Sequence, residues 1–538
     1  MKARTSLAAV AAAAAALAAA PAGALAAGPR NAPAAPTVQL PGDAAAASVR
    51  ADPHTWIVGV RAGGGAIARA HGGRRIAGRA WLVRRARANA LAAALGERGL
   101  LDYAEPNRLA RRAQAPAPDP LSPFAGWRDF VVGDAVPPPV TPDSPLIALV
   151  DTQLDVEHPE LKGSNITTAG VRPATDEHGT ATSTVAAAPA NGVGILGIWP
   201  GARALDVPLP NGQAILCSDS VGGIDRAIAA GADVINMSYG STVACIAERE
   251  QLLRAIKAGA VPVAAVGNDY LRGNPPEYPA SFTHVITVAG IGSDSRPTSF
   301  SSTSASVDLS APGVGILTAV PIGTDTQDGN QDGFAYLDGT SFAAPMVAAA
   351  IAWVRAARPT LSPSQAAQAV RQGATDIFER GFDAATGYGA LSLPGALSRK
   401  PPADDPMEPN DDFRYVNGRA FGRPVRPLFS GRPAAIAATV DYAEDPIDLY
   451  RIRVPGRKRV RLSLRSRLGD ADLFVYAPRG RALETSRALT GSSRRGQATD
   501  RASVRNRGRR RRTLYVAVGF SEANPLRVVD ANYVLRAR

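Results

Sequence analysis

With 538 residues the chain exceeds one ordinary domain and predicts two or three globular units. Hydrophobic residues at 45% and charged residues at 20% exclude a wholly disordered chain; past the N-terminus no stretch reaches the ~18 apolar residues of a membrane span. The net charge of +13 raises nucleic acid as a partner. However, the arginines gather at the ends (Arg84, Arg85 and Arg87; Arg494, Arg495 and Arg509 to Arg512) with no basic stripe interleaved with aromatics, so no nucleic acid is expected and a solvated basic face suited to anionic cell-surface polymers is.

Lys2 and Arg4, the apolar run Leu7 to Ala20 and the small residues Ala24-Leu25-Ala26 read as a secretory signal over residues 1–27, which predicts an extracellular chain. A Pro/Ala-rich stretch to Gly42 leads into a small patterned block. Thr55 to Val60 predicts a strand, Ala86 to Leu95 a helix with Leu91 and Leu95 on one face, and Leu100 to Asn107 a second extended segment. Ala115 to Pro120 reads as a linker.

From Leu146 to Gly389 short apolar runs alternate with helical patterns. Leu146 to Val150, Ala204 to Val207, Val234 to Met237, Val261 to Val266 and Val285 to Val288 predict buried strands; Val221 to Ala230 and Ala247 to Ala258 predict helices. Such alternation implies right-handed βαβ units, a doubly wound, mostly parallel sheet, and reactive groups at the carboxyl ends of its strands. Arg399 to Pro406 reads as a second linker. Beyond it, Asp448 to Val454, Arg459 to Leu464, Ala471 to Tyr476, Leu514 to Val518 and Ala531 to Leu535 alternate as the strands of a small all-β sandwich do.

Three positions stand out chemically. Asp151 ends an apolar strand, where a carboxylate is costly unless paired, although an Asp opening a turn is the plainer reading of that position alone. His178 precedes Gly179-Thr180 and an Ala/Thr/Val run that predicts a helix, whose N-terminus disfavours an imidazolium and suits a base that starts neutral. Ser341 stands in Gly339-Thr340-Ser341-Phe342-Ala343-Ala344-Pro345 before the apolar run Met346 to Trp353. A helix cap would explain the serine but not the glycine approach or Pro345, whereas a nucleophile there gains a backbone N–H aimed at an oxyanion.

Asp151-Thr152 with Asp155 and His158-Pro159-Glu160-Leu161, then His178-Gly179-Thr180, then Gly339 to Pro345 resemble, in that order, the three signature boxes of the subtilases, the subtilisin-like serine peptidases. The resemblance implies a secreted serine endopeptidase acting on protein or peptide substrates, with Asp151, His178 and Ser341 as its triad and Asn268, in Ala264 to Asn268, as an oxyanion donor. Gln153 departs from the glycine usual after Asp-Ser/Thr and predicts a local backbone adjustment. A dead peptide-binding scaffold and an acid peptidase built on Glu177 are the competing readings; the intact boxes oppose both.

The resemblance extends further. Thr55 to Asn107 is similar to the family's inhibitory propeptides, and Met407 to Asp412, Asp448-Leu449-Tyr450 and Gly469 to Leu473 are similar to the β-sandwich appended to secreted bacterial peptidases. The implied domains are a propeptide over 28–114, a linker and mature start over 115–143, a catalytic domain over 144–398, a linker over 399–412 and a β-sandwich over 413–538. A monomer is expected, with the propeptide as inhibitor and the basic C-terminal domain adhering to anionic cell surfaces.

No cofactor is implied for the chemistry. Glu160 and Asn191 match positions that hold structural calcium in subtilisins, with no clear counterpart of the family's N-terminal ligand. Cys217 and Cys245 both follow strand ends at the sheet's carboxyl edge, and export permits a disulfide between them. Ser238-Tyr239-Gly240 and Ala265-Val266-Gly267 resemble the walls of the family's primary pocket, and Pro276 to Ala280 its floor. Glu277, where a small residue is usual, predicts a preference for Lys or Arg before the cut if its carboxylate faces the pocket, and an apolar pocket preferring Phe or Leu if it turns to solvent.

Overall fold

The computed structural model describes residues 51–108, 119–170, 174, 176–210, 214–326, 329–477, 483, 486–496, 498–521 and 530–538. The expected signal segment lies outside them. The chain divides into two units that part between residues 115 and 116.

In the first unit, β1 (Ala51–Val60), α1 (Gly65–Ala70), β2 (Arg74–Ala77), β3 (Ala80–Arg84), α2 (Arg85–Gly96) and β4 (Leu101–Arg108) follow one another. The strands form one antiparallel sheet in the order β2-β3-β1-β4. Ala88, Leu91 and Leu95 recur at helical spacing, so α2 buries that stripe against Val58, Val60, Trp81 and Val83. The hairpin of β2 and β3 adds to the expected strand, helix and strand; β2 is exposed along its length, so no apolar alternation marks it.

The second unit opens with α3 (Gly126–Val132), β5 (Ile147–Asp151), β6 (Ile166–Thr168), α4 (His178–Ala187), β7 (Ala204–Pro208), α5 (Cys217–Ala229), β8 (Val234–Met237), α6 (Ile246–Ala258), β9 (Val261–Ala265), β10 (Ile286–Ile291) and β11 (Val307–Pro312). Seven strands pair in the order β11-β10-β9-β8-β5-β7-β6, every pair parallel, with helices on both faces. The hairpin of β12 (Ile316–Ala319) and β13 (Phe334–Leu337) leads into α7 (Thr340–Ala357), followed by α8 (Pro363–Gln372) and α9 (Leu393–Ser398). Helix α7 is long and apolar enough to cross a membrane by length and composition, but 78% of it is buried inside the fold. It is the central core helix, packed on β8, β9, β10 and β11. Truncating its fully buried Trp353 to alanine is expected to cost about 3–5 kcal/mol.

The last section holds α10 (Phe413–Val416), β14 (Ala434–Asp441), β15 (Ile447–Val454), β16 (Arg459–Leu468), β17 (Ala471–Tyr476), β18 (Ala488–Ser492), β19 (Asp500–Arg505), β20 (Arg512–Phe520) and β21 (Asp530–Ala537). They make two four-stranded antiparallel sheets, β14-β21-β16-β19 and β15-β20-β17-β18. Val460, Leu462 and Leu464 of β16 meet Leu473, Val475 and Val516 in the layer between them.

The Asp/Pro-rich stretch expected as a free linker is packed. Asn410 is fully buried; its Nδ2 donates to Asp405 Oδ2 (3.0 Å) and Glu408 Oε1 (2.9 Å), and its Oδ1 accepts from Leu449 N (2.6 Å). Two cations from the α/β side meet acids of the β side across this seam. His284 Nε2 donates to both Asp411 oxygens at 2.9 Å. Arg371, 3% exposed, reaches Asp308 Oδ1 (2.7 Å), Asp441 Oδ2 (3.1 Å) and Glu444 Oε2 (3.4 Å). Charges this deep are tolerated because each has a partner.

Candidate active site

Asp151 is the last residue of β5, at the carboxyl end of the sheet, and is 3% exposed. Its Oδ1 accepts from Thr152 N (2.7 Å) and lies 2.6 Å from His178 Nδ1; its Oδ2 accepts from Thr182 Oγ1 (3.0 Å). The buried carboxylate is therefore held at both oxygens.

His178 is the first residue of α4. Asp176 Oδ1 accepts from His178 N (3.0 Å) and from Thr152 Oγ1 (2.6 Å), and Gly179 N donates to Thr152 Oγ1 (2.8 Å), so the turn after β5 caps the helix. A Cβ on Gly179 would lie 2.0 Å from Thr152 O, so only glycine lets the helix start this close to Asp151. Burial acts to lower the imidazole pKa, but the Asp151 charge and its hydrogen bond, with Asp176 and Glu177 nearby, outweigh it and hold the pKa above its ordinary value. The carboxylate thus dominates over the helix N-terminus expected to keep this base neutral.

Ser341 is the second residue of α7, one turn earlier than the apolar run that marks the helix in the sequence. Pro345 has no N–H to bond the Ser341 carbonyl four residues back. Ser238 Oγ fills that role, donating to Ser341 O at 2.8 Å, and Ser341 Oγ donates to Ser238 O at 3.2 Å. The next residue, Phe342, sets its ring 5.9 Å from the His178 ring. Ser341, His178 and Asp151 are thus carried by α7, α4 and β5, with α7 meeting His178 through the Phe342 ring.

Asn268 follows β9. Its Oδ1 accepts from Thr340 N (3.1 Å) and Thr340 Oγ1 (2.9 Å), which fixes the amide with Nδ2 free to donate beside Gly339. Sequence reasoning missed Thr340 as the residue that orients Asn268, although it lies inside the serine box. Gln153, the departure from the usual glycine, is buried and donates from Nε2 to Leu154 O (3.0 Å) and Asp206 Oδ2 (3.1 Å), leaving the bonds of Asp151 intact.

The segments expected to wall a pocket converge as well. Ser241 and Tyr278 exchange backbone hydrogen bonds of 2.9 and 2.8 Å, tying the segment after Gly240 to the one that carries Glu277. A Cβ on Gly240 would lie 2.2 Å from Glu277 Oε2, and one on Gly267 (φ +106°) 2.0 Å from Oε1. Oε1 is buried without a hydrogen-bond partner, and burial, then the charge of Asp269, pushes the carboxyl up to about 7. Ala265 is buried at the end of β9. Tyr239 sends its hydroxyl to Ser220 Oγ (2.7 Å) and Glu248 Oε1 (3.4 Å) on the neighbouring helices, so its backbone is what lies beside Gly240.

Cys217 and Cys245 are joined as a disulfide, Cα atoms 6.1 Å apart, linking the starts of α5 and α6. Glu160 is fully buried, its Oε1 has no partner, and burial pushes its carboxyl up to about 9. Asn191 Nδ2 donates to Glu160 O (2.8 Å) and Lys162 O (3.1 Å). Asp119, which sequence reasoning missed, is buried and accepts on Oδ1 from Asn191 N (3.1 Å) and Gly192 N (3.0 Å). Two buried carboxylates at one loop, one with an orphaned oxygen, are a donor set that fits a hard cation such as calcium. Far from the triad, His284, Glu408, Asp411 and Asp445 also bring one ligand atom each within 4.8 Å of the others, as do Asp405, Glu408 and Asp448; the seam cation His284 already lies among them.

The Subtilase family matches residues 143–389. Fervidolysin of Fervidobacterium pennivorans is 32% identical over 309 residues, 52% of this chain and 43% of that protein. Subtilisin DY of Bacillus licheniformis is 34% identical over 238 residues, 43% of this chain and 84% of that protein. Among solved structures, the psychrophilic subtilisin-like protease of Pseudoalteromonas sp. AS-11 aligns with a TM-score of 0.45 and 19% identity over 51% of this chain and 97% of that one. The chain thus spans less than half of fervidolysin and most of subtilisin DY.

Proposed function

This chain belongs to the subtilase family, and from that premise we propose that it is a secreted serine endopeptidase working through an acyl-enzyme on Ser341. The observation that carries the reading is the 2.6 Å contact between His178 Nδ1 and a buried Asp151 whose other oxygen is held by Thr182. That geometry fixes the tautomer with Nε2 free as the base. Substrate in the cleft draws Ser341 Oγ from Ser238 O to His178 Nε2, a tightening that substrate-free sites commonly await. His178 takes the proton as Oγ bonds the scissile carbonyl carbon. Asn268 Nδ2 and the Ser341 N–H donate to the oxyanion. The imidazolium then protonates the leaving amine, and water attacks the acyl-enzyme by the same route.

Glu277 supports a preference for Lys or Arg before the cut, because a desolvated carboxylate with an unpaired oxygen gains most from a cation. Calcium, held by Glu160, Asp119 and Asn191, would brace the loop after α4. The segment over residues 28–114 acts as propeptide and inhibitor, the mature enzyme is a monomer, and the basic C-terminal domain adheres to anionic cell surfaces. The test is turnover of a peptide p-nitroanilide with arginine before the cut: wild type should show steady hydrolysis, and Ser341→Ala none. Equal rates in the two proteins would refute the reading.

A further inference from the structure

The β14-β21-β16-β19 sheet turns its second face to solvent, and its side chains can be assigned strand by strand from register and burial. Inward positions fill the sandwich core, so the outward ones are Arg459, Arg461, Ser463 and Arg465 on β16 and Arg501, Ser503 and Arg505 on β19. On β21 they are Asn532, Val534 and Arg536, and on β14 Ala435, Ala437 and Thr439. Six of these are arginines, all exposed; the acidic members of the same alternation, Asp441 and Asp530, are paired at the far end of β14 and β21 and buried against Arg371 and Gln372, so no exposed outward position is acidic and none is aromatic.

The register concentrates them. Arg459 pairs with Arg505, and Ser463 lies between Arg501 and Arg536. Like charges placed opposite one another on a sheet destabilise it. Among the described residues the six form no ion pair, and one side-chain hydrogen bond, Arg459 Nη1 to Ser503 Oγ at 3.4 Å, involves them. The fold thus carries an unrelieved cationic face where alternating polar residues would have sufficed.

We propose that this face is the docking surface for an extended phosphodiester polymer without bases, of the poly(glycerol phosphate) kind. Guanidinium groups form bidentate hydrogen bonds to phosphate oxygens. On a sheet they repeat at about 6.6 Å along a strand and about 4.8 Å between strands, so a flexible polyanion can engage several together. Single-stranded nucleic acid is the weaker fit, because its general binders stack bases on aromatic rings and this face has none. The proposal rests on reading the C-terminal domain as an adhesive unit and adds where it binds and to what.

The test uses the full chain as Ser341→Ala, to prevent self-digestion, and measures binding to poly(glycerol phosphate), to single-stranded DNA and to polyglutamate between 50 and 300 mM salt, roughly the range over which polyanion affinities collapse. Arg461→Glu, Arg465→Glu and Arg501→Glu together should weaken poly(glycerol phosphate) binding about tenfold or more and flatten the log–log salt slope by about 2. Arg254→Glu, Arg380→Glu and Arg419→Glu, the same charge change at other exposed arginines, should leave binding within about twofold. Both sets, rebuilt with Ser341 intact, should keep small-peptide turnover. If the control set weakens binding as much as the face set, net charge is responsible and the face is not the site. Tighter binding to DNA or polyglutamate than to poly(glycerol phosphate) overturns the assignment of the partner. No binding to any polymer at the lowest salt overturns the adhesive reading itself.

Discussion

Glu277 Oε1 lies where a side chain on Gly267 would begin, 2.0 Å from the position of an added Cβ, and it has no hydrogen-bond partner there. The carboxyl occupies the space between the two glycine-containing walls, and burial, then the charge of Asp269, raises it to about 7. Because the pKa is raised, the group is neutral below pH 7 and charged above it. The ratio of kcat/KM for arginine over phenylalanine before the cut should therefore climb between about pH 6 and 8. His178 titrates for both substrates and cancels in the ratio. Glu277→Gln should flatten the climb and lower the ratio at pH 8 about tenfold or more. Matched peptides assayed across that range check both points; an unchanged ranking in the mutant removes Glu277 as the selector.

Thr340 and Asn268 form a second testable pair. Asn268→Ala should cost about 10²–10³ in kcat, the loss that follows removal of the oxyanion-hole asparagine in subtilisin itself. Thr340→Val removes the hydroxyl donor to Asn268 Oδ1 and keeps the backbone one, so a smaller loss of about tenfold in kcat is expected, with KM nearly unchanged. Combined with Asn268→Ala, Thr340→Val should add almost nothing, since its effect passes through that amide. Additive losses in the double mutant would contradict this.

The candidate triad was legible because each member sits in a short local pattern: Asp151 closing an apolar strand, His178 opening an Ala/Thr helix, Ser341 between Gly339 and Pro345. Asp119 was not legible. It lies in a Pro-rich stretch resembling a linker and reaches Asn191 only through the fold. The contact of Thr340 with Asn268 spans 72 residues, and nothing in either segment announces it. The seam escaped for the opposite reason. Asp and Pro at Asp404 to Pro406 carry the composition of an exposed linker, and the cations His284 and Arg371, supplied from distant segments, allow Asp441 to be buried and Asp411 and Glu444 half-buried there. The strands of the sandwich were visible where apolar residues alternate with arginine, as in β16, and missed where, as in β14, alanines blur the alternation.

That seam makes a stability prediction. Arg371→Leu leaves Asp308 and Asp441 buried without their cation, and breaking such a pair from one side costs about 3–5 kcal/mol. Urea unfolding of the Ser341→Ala protein should show the β-sandwich loosening at lower denaturant than in the parent. A midpoint unchanged by Arg371→Leu would mean the seam does not hold the two parts together.

The loop after α4 offers a metal-dependent readout. If calcium sits among Glu160, Asp119 and Asn191, chelation should lower the melting temperature and added calcium restore it. Asp119→Ala and Glu160→Gln should each reduce that response. A melting curve indifferent to chelator would exclude the ion.

The central claim is that Ser341 is a nucleophile activated by His178 on Asp151. Intact-mass measurement after exposure to a fluorophosphonate tests it most directly. One adduct per chain is predicted, mapping to the peptide that contains Ser341, abolished in Ser341→Ala and strongly slowed in His178→Ala. An adduct on another residue, or unmodified wild-type protein that still cleaves peptides, would contradict the account.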